Sequence, residues 1–83
     1  MNAQAQLNFS FPPNPFKSGT QNHALFEWLR AYGRISLHEI HHVLKQDTAR
    51  IRVDIKPYLR KHGYDIYCIR FKKGLTEYVV QTL

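Results

Sequence analysis

The stretch that decides the fold is Asp47–Gly63, DTARIRVDIKPYLRKHG. Apolar residues recur in it at every fourth position, which predicts a helix with one buried stripe. The stripe consists of Ile51, Ile55 and Leu59, widened by Tyr58. The basic residues fall mostly away from the stripe, at Arg50, Arg52, Lys56, Arg60 and Lys61. The sequence therefore predicts a helix with an apolar side for the core and a cationic side for solvent or a partner.

Both ends of this helix carry the expected signals. The side chain of Asp47 or Thr48 can accept hydrogen bonds from the N–H groups of the first turn. Gly63 follows the last turn, where a left-handed residue commonly ends a helix. Pro57 lies inside the stretch, where it removes one hydrogen bond and crowds the preceding turn. The helix could therefore kink, split with Lys56 ending one piece and Pro57 opening another, or become irregular in its second half. Because the apolar stripe continues past Pro57, we favour a helix that is kinked there but continuous.

Length and composition indicate one small folded domain. The chain has 83 residues, of which 43% are hydrophobic, enough for a modest core. No apolar run reaches the roughly 20 residues of a membrane span, and the N-terminus lacks the apolar segment of a secretory signal. The single cysteine, Cys68, cannot form an internal disulfide. We therefore expect a cytoplasmic protein that does not bind a membrane.

Positive charge is concentrated in one part of the chain. The segment Lys45–Lys73 holds nine of the twelve Lys and Arg residues and three of the six acidic residues, so it carries the whole net charge of +6. A basic block of this kind is typical of proteins that bind polyanions. The alternative is a basic surface that only water solvates.

Residues 1–18 are predicted to form an arm ahead of the domain at residues 19–83. Three prolines favour an extended backbone in this arm. Its apolar residues are too many for an inert tail: Leu7, Phe9, Phe11 and Phe16. They either pack on the same chain, which we favour, or contact a partner chain.

The first helix is predicted over residues 21–32. Thr20 can cap its start, and Gly33 can end it. Its buried face is expected to consist of Leu25, Trp28, Leu29 and Tyr32, which recur with helical spacing. Arg34 and Ile35, which follow, are too few to predict more than a trace of strand.

The second helix begins with a capping box. Ser36 and Glu39 form the S-x-x-E pattern in which each side chain bonds the other residue's backbone N–H. Its inner face is supplied by Leu37, Ile40, Val43 and Leu44. A short turn at Lys45-Gln46 then leads to the third helix, so the second and third helices form a helix-turn-helix.

After Gly63 the hydrophobic period changes from about four to two. Residues 64–71 and 76–83 are predicted to be two strands joined by a turn at residues 72–74, a β-hairpin with a basic tip. Cys68 is expected to be a buried, unreactive thiol. The expected core is Leu25, Trp28, Leu29, Ile40, Leu44, Ile51, Ile55, Leu59, Ile66 and Ile69. The predicted fold is α+β, with three helices followed by a two-stranded hairpin, the order of a winged helix-turn-helix.

Several short motifs resemble the small winged helix-turn-helix proteins encoded by bacteriophages and prophages. The resemblance lies in TQNHALFEWLRAYGRISLHEI (residues 20–40) and RKHGYDIYCI (residues 60–69). In that family Q-N opens the first helix, G-x-I-[S/T] leads into the second, and L-R-x-x-G-Y-x-I joins the third helix to the wing. This chain differs in having histidines early in the second helix and a proline in the third. The resemblance implies a DNA-binding protein of a bacterial host cell, acting as a transcriptional regulator or an architectural factor.

The sequence His38-Glu39-Ile40-His41-His42 matches H-E-x-x-H, in which two histidines hold zinc and the glutamate activates water. A catalytic zinc also needs a third protein ligand, and none follows at a recognisable spacing. Glu39 is, moreover, already assigned to the capping box. We therefore expect no metal, no cofactor and no enzymatic activity, and we expect these histidines to form a partly exposed polar face.

Nucleic-acid binding is better supported. Arg50 and Arg52 lie in the first turns of the third helix, where a recognition helix contacts base edges. Arginine is also suited to bidentate pairing with guanine. The residues expected to bind DNA phosphates are Lys45, Thr48, Lys56, Lys72 and Lys73. The predicted partner is double-stranded DNA.

A second class of function stays open. The domain could bind and inhibit a host protein, with its basic face competing for nucleic-acid contacts and the arm gripping the partner. Strong, salt-dependent DNA affinity favours the first hypothesis, and a stoichiometric complex with one host protein favours the second. The arm or the last strand could also pair two chains into a homodimer.

Overall fold

The structure is a computed structural model and describes residues 11–83. Its elements follow one another as α1 (Gln21–Tyr32), β1 (Arg34–Ser36), α2 (residues 37–43), α3 (residues 49–61), β2 (Tyr64–Arg70) and β3 (Thr76–Thr82). The segments Glu39–Val43 of α2 and Ile51–Ile55 of α3 are π-helical. A 3-10 turn, Lys72–Gly74, joins β2 to β3. The chain is α+β, as predicted.

The sheet has three antiparallel strands rather than the predicted two. β1 pairs with β3, with Ile35 opposite Tyr78, and β3 pairs with β2, with Ile66 opposite Val80. The trace of strand expected at residues 34 and 35 is β1, and the predicted count of two strands is wrong because pairing with a distant segment makes so short a run a member of the sheet. The strand order is β1-β3-β2. β3 is therefore the central strand: β2 pairs with it along its whole length, and β1 pairs with residues 77–79 on its other side.

The predicted ends of α1 are confirmed. The hydroxyl of Thr20 accepts a hydrogen bond from the N–H of His23 at 3.2 Å. Gly33 has a left-handed backbone, with φ of 77°, and its N–H donates to the carbonyl of Leu29 at 2.7 Å. A polar cap and a glycine thus set the length of α1.

The predicted starts of α2 and α3 are confirmed as well. The N–H of Glu39 donates to Ser36 Oγ at 3.0 Å, and the N–H of Ser36 donates to Glu39 Oε1 at 2.9 Å. This reciprocal pair is the capping box. Of the two candidates before α3, Asp47 is the one whose side chain accepts, from the N–H of Ala49 at 2.8 Å.

α3 continues through Pro57, as predicted, and the π-helical segment accounts for this. The N–H of Lys56 bonds to the carbonyl of Ile51, five residues back rather than four. This wider turn lies just before the proline ring, which would crowd the carbonyl four residues earlier in a regular α-helix. On an α-helix, residues four apart drift by about 40° per repeat. The wider turn offsets that drift, so Ile51, Ile55 and Leu59 are all buried.

The core joins all the helices and strands. It consists of Phe11, Leu25, Phe26, Leu29, Ile35, Ile40, Ile51, Ile55, Leu59, Tyr64, Ile66 and Val80. Of the ten residues predicted, seven are in this set, while Trp28 and Leu44 pack against its border. The predictions for Ile69 and Cys68 are wrong: Ile69 is half-buried and Cys68 is exposed. Only the first three residues of β2 are buried, since the strand extends beyond the core towards the hairpin tip.

Part of the predicted arm belongs to this core. The ring centroids of Phe11 and Phe16 lie 5.4 Å and 5.9 Å from that of Phe26. Both residues therefore pack on their own chain, the alternative favoured above. Leu7 and Phe9 lie outside the described residues.

Candidate nucleic-acid interface

The side chains of α3 fall into four rows, because its buried residues are four positions apart. The inner row is Ile51, Ile55 and Leu59; the α1 row is Arg50, Asp54 and Tyr58; the β2 row is Arg52, Lys56 and Arg60; the outer row is Val53, Pro57 and Lys61. Contacts to Asn22 and Phe26 define the α1 row, and contacts to Asp65 define the β2 row. All three members of the outer row are exposed. A partner that approaches α3 from solvent therefore meets the outer row first.

Two cations of the β2 row are bound within the fold. Lys56 Nζ lies 2.6 Å from Asp65 Oδ1, and a guanidinium nitrogen of Arg60 lies 2.9 Å from Asp65 Oδ2. Lys56 Nζ also donates to the carbonyl of Ile66, and the N–H of Ile66 donates to Asp65 Oδ1. The ammonium of Lys56 lies 5.3 Å from the ring centroid of Tyr67. These contacts tie α3 to β2 and occupy Lys56, a predicted phosphate ligand.

The carboxylate at the centre of this cluster is 3% exposed. The hydrogen bond from Lys56 holds the pKa of Asp65 below its ordinary value of 3.8, and it outweighs the opposing effect of burial. The N–H of Ile66 and the charges of Lys56 and Arg60 act in the same direction. Asp65 is therefore ionised at neutral pH and works as the anchor for both cations.

The two arginines predicted to read bases lie on different rows. Arg50 lies 3.5 Å from Asp54 Oδ2, which also accepts a hydrogen bond from Asn22 at 3.0 Å. Arg50 thus faces the start of α1, where it lines a shallow recess together with residues 20–22. Arg52 is exposed and forms no hydrogen bond or ion pair with any residue in 11–83. Of the two, Arg52 has the freer guanidinium.

The other predicted ligands lie before α3 and at the hairpin tip. Lys72 and Lys73 are exposed in the 3-10 turn, and Lys45 is exposed in the loop after α2. Lys45 and Lys73 both have left-handed backbones, with φ of 56° and 64°. Thr48 is half-buried, and its carbonyl accepts from the N–H of Ile51 at 3.1 Å.

Charge is partitioned sharply within residues 11–83. All six acidic side chains hold a partner in the chain: Glu27, Glu39, Asp47, Asp54, Asp65 and Glu77. Five of the twelve basic residues form ion pairs with them. The other seven are exposed and form no ion pair with the described residues: Lys17, Lys45, Arg52, Lys61, Arg70, Lys72 and Lys73. Six of these seven come from Lys45–Lys73. Lys61 and Arg70 are not among the ligands predicted from the sequence, because ion pairs between distant residues decide which cations stay unpaired, and such pairs have no local signal.

A separate feature is an open groove of about 600 Å³ between α2 and the hairpin tip. Its main apolar lining is Leu37, Phe71 and Leu75, and Phe71 and Leu75 are 48% and 65% exposed. His38, His41 and His42 also line it.

The histidines of the H-E-x-x-H pattern lie along this groove. The rings of His38 and His42 have centroids 4.7 Å apart. Glu39 is bonded to Ser36 in the capping box rather than aimed at the histidines. Within residues 11–83 no three histidine, cysteine or acidic side chains gather closely enough to hold a metal ion.

Comparison with family models, with curated proteins and with solved structures gives no match for this chain. Within the described residues no helix is both long enough and apolar enough to cross a bilayer.

Proposed function

We propose that the chain is a winged helix-turn-helix domain that binds double-stranded DNA. In this proposal α2 and α3 form the helix-turn-helix, the β2–β3 hairpin is the wing, and β1 adds a third strand to the wing sheet. The domain would serve as a transcriptional regulator or an architectural factor in a phage-infected bacterial cell.

The observation that carries the proposal is the partition of charge. Five of the six carboxylates in residues 11–83 accept hydrogen bonds within the chain, and Oε1 of the sixth, Glu77, lies 3.9 Å from Arg34 without a hydrogen bond. In contrast, six exposed cations from Lys45–Lys73 have no ion-pair partner in that part of the chain. Cations left in this state are available to displace counterions from DNA phosphates. The long-range field of unpaired surface cations also steers a polyanion towards them.

The rows of α3 suggest separate roles. Arg52 and the outer row would enter the major groove, and Lys72 and Lys73 would contact phosphates from the wing. Lys45 and Thr48 would hold phosphates at the turn before α3. Arg50, oriented by Asp54, would contact the flank of the site. Lys56 is left out of this set, since Asp65 and Ile66 already bind its ammonium. Besides the outer row, the residues that would contact DNA in this proposal are the remaining six predicted from the sequence: Lys45, Thr48, Arg50, Arg52, Lys72 and Lys73.

A gel shift on a pool of random duplexes, run at several salt concentrations with sequencing of the bound fraction, tests the proposal. We expect retention that falls steeply with salt and an enriched sequence motif in the bound pool. The proposal would be contradicted if no sequence were enriched in the bound fraction and the affinity were no higher than that of another protein of similar positive charge.

The groove between α2 and the hairpin tip supports a second candidate, a module that binds and inhibits a host protein. Its exposed Phe71 and Leu75 are suited to an apolar side chain of a partner. A stoichiometric complex with one host protein that persists in excess DNA and is lost in Leu75→Asp would favour this candidate. Loss of DNA binding in the same variant would instead place the groove within the DNA interface.

A further inference from the structure

The outer row of α3 presents an apolar surface among cations. Val53 is 61% exposed, and it precedes the exposed Pro57 in the same row. Arg52 directly precedes Val53 in the chain, and Arg50 lies on the adjoining α1 row. Val53 belongs to the π-helical segment Ile51–Ile55, so the wider turn before Pro57 sets its place on the helix. Neither the side chain of Val53 nor that of Pro57 can donate or accept a hydrogen bond.

An apolar side chain in the major groove is best matched by an apolar group of a base. All four bases present hydrogen-bonding groups in the major groove. Thymine presents its C5-methyl group there in addition. A valine placed against a donor or acceptor would remove water from that group without replacing the hydrogen bond. Placed against a methyl group, it would bury apolar surface on both sides. The branched side chain is also stiff at χ1, so it meets the groove in one shape.

We propose that Val53 is a specificity-determining residue that contacts the C5-methyl group of a thymine in the major groove. This inference rests on the proposed function, since it requires α3 to lie in that groove. In this arrangement Arg52 forms hydrogen bonds with the edge of one base, and Val53 selects a thymine next to that base.

Replacing thymine by deoxyuridine removes the methyl group and keeps every base pair. The experiment measures affinity for the duplex recovered from the random pool, once with thymine and once with deoxyuridine at all thymine positions of the site. The proteins compared are the parent, Val53→Ala and Val43→Ala. Val43 is the matched control, because it is 54% exposed and lies at the end of α2, outside α3. Thermal unfolding of each variant checks the fold. Because both valines are exposed, replacing either by alanine should leave the unfolding midpoint nearly unchanged.

The parent and Val43→Ala should bind the thymine duplex about fourfold more tightly than the deoxyuridine duplex, the value expected for one buried methyl-sized group. Val53→Ala should bind the two duplexes alike. Equal affinity of the parent for both duplexes, with sequence-selective and salt-dependent binding intact, would overturn this inference and leave the proposed function standing. If the parent enriches no sequence motif and binds DNA no more tightly than another protein of similar charge, both this inference and the proposed function would be overturned. Discrimination that survives in Val53→Ala would assign the methyl contact to another residue.

Discussion

Asp65 offers the sharpest test of how the fold holds its cations. The carboxylate is almost fully buried and accepts hydrogen bonds from Lys56, Arg60 and the N–H of Ile66 at 2.6, 2.9 and 2.7 Å. Removing one partner of a buried pair costs about 3–5 kcal/mol. The side chains of Lys56 and Arg60 are 33% and 56% exposed, so water recovers part of that loss. We expect Asp65→Ala to lower the free energy of unfolding by about 3 kcal/mol at neutral pH.

The same cluster sets the acid dependence of stability. Because the pKa of Asp65 is lower in the folded chain than in the unfolded chain, the stabilisation is fully present above the unfolded value. It is lost as the pH falls from about 4 through the lower pKa of the folded state. Asp65→Asn keeps the size of the side chain and removes the charge. Its stability should therefore be lower than that of the parent at pH 7 and should fall less on acidification below about pH 4.

Urea unfolding followed by circular dichroism, at pH values from about 2.5 to 7, measures both effects. Asp54→Asn is the matched control, since Asp54 is a half-buried carboxylate of α3 with a longer ion pair of 3.5 Å. It should cost less than about 1 kcal/mol. A double-mutant cycle with Lys56→Met should show strong coupling to Asp65. An Asp65→Ala variant with the same urea midpoint as the parent would refute the stabilising role of the ion pairs that Asp65 forms with Lys56 and Arg60.

Three further predictions concern the fold and use urea midpoints. Leu29→Ala should cost about 2–5 kcal/mol, because Leu29 is fully buried, whereas Val43→Ala at an exposed site should cost little. Ser36→Ala should cost about 1 kcal/mol through loss of the capping box, and Ser18→Ala, at an exposed position outside any helix or strand, should not; equal midpoints for the two would count against the capping role. Gly63→Ala should cost about 1–2 kcal/mol from backbone strain alone, since φ is 86° and an added Cβ would meet nothing within 4 Å; an unchanged midpoint would show that the left-handed turn is not required.

Local signals predicted most of the fold. Thr20, Gly33, the Ser36–Glu39 box and Asp47 act within a few residues of their own positions, so the sequence carries the whole interaction. The change to period two after Gly63 placed β2 and β3 to within a residue at each end. The period of four in α3 predicted continuity through Pro57, although it did not predict the π-helical turn that permits this.

Features that depend on distant pairing could not be predicted in this way. β1 exists because β3 lies beside it, and the exposure of Cys68 follows from where the helices stop covering β2. Phe26 is buried in α1 because Phe11 and Phe16, which precede α1, pack against its ring. Tyr32, which was predicted to be buried, is 55% exposed.

The candidate site was predicted at the level of the segment rather than the side chain. The basic block Lys45–Lys73 was evident from composition. Its division into cations bound by the fold and cations left exposed was not, because Asp65 is nine residues from Lys56 and pairs with it across two elements. The exposure of Val53 could likewise not be predicted, because it depends on the packing of the α1 row and the β2 row of α3 against other elements.

The most direct test of the central claim compares two lysines that carry the same charge. Lys73 and Lys17 are both exposed and unpaired within residues 11–83, but only Lys73 belongs to the segment assigned to DNA. Fluorescence anisotropy with a duplex at several salt concentrations gives the slope of log affinity against log salt for the parent, Lys73→Ala and Lys17→Ala. We expect Lys73→Ala to bind more weakly and to reduce the slope by about 0.9, with Lys17→Ala unchanged. Equal losses in the two variants, or no loss in either, would contradict the assignment of the DNA interface to Lys45–Lys73.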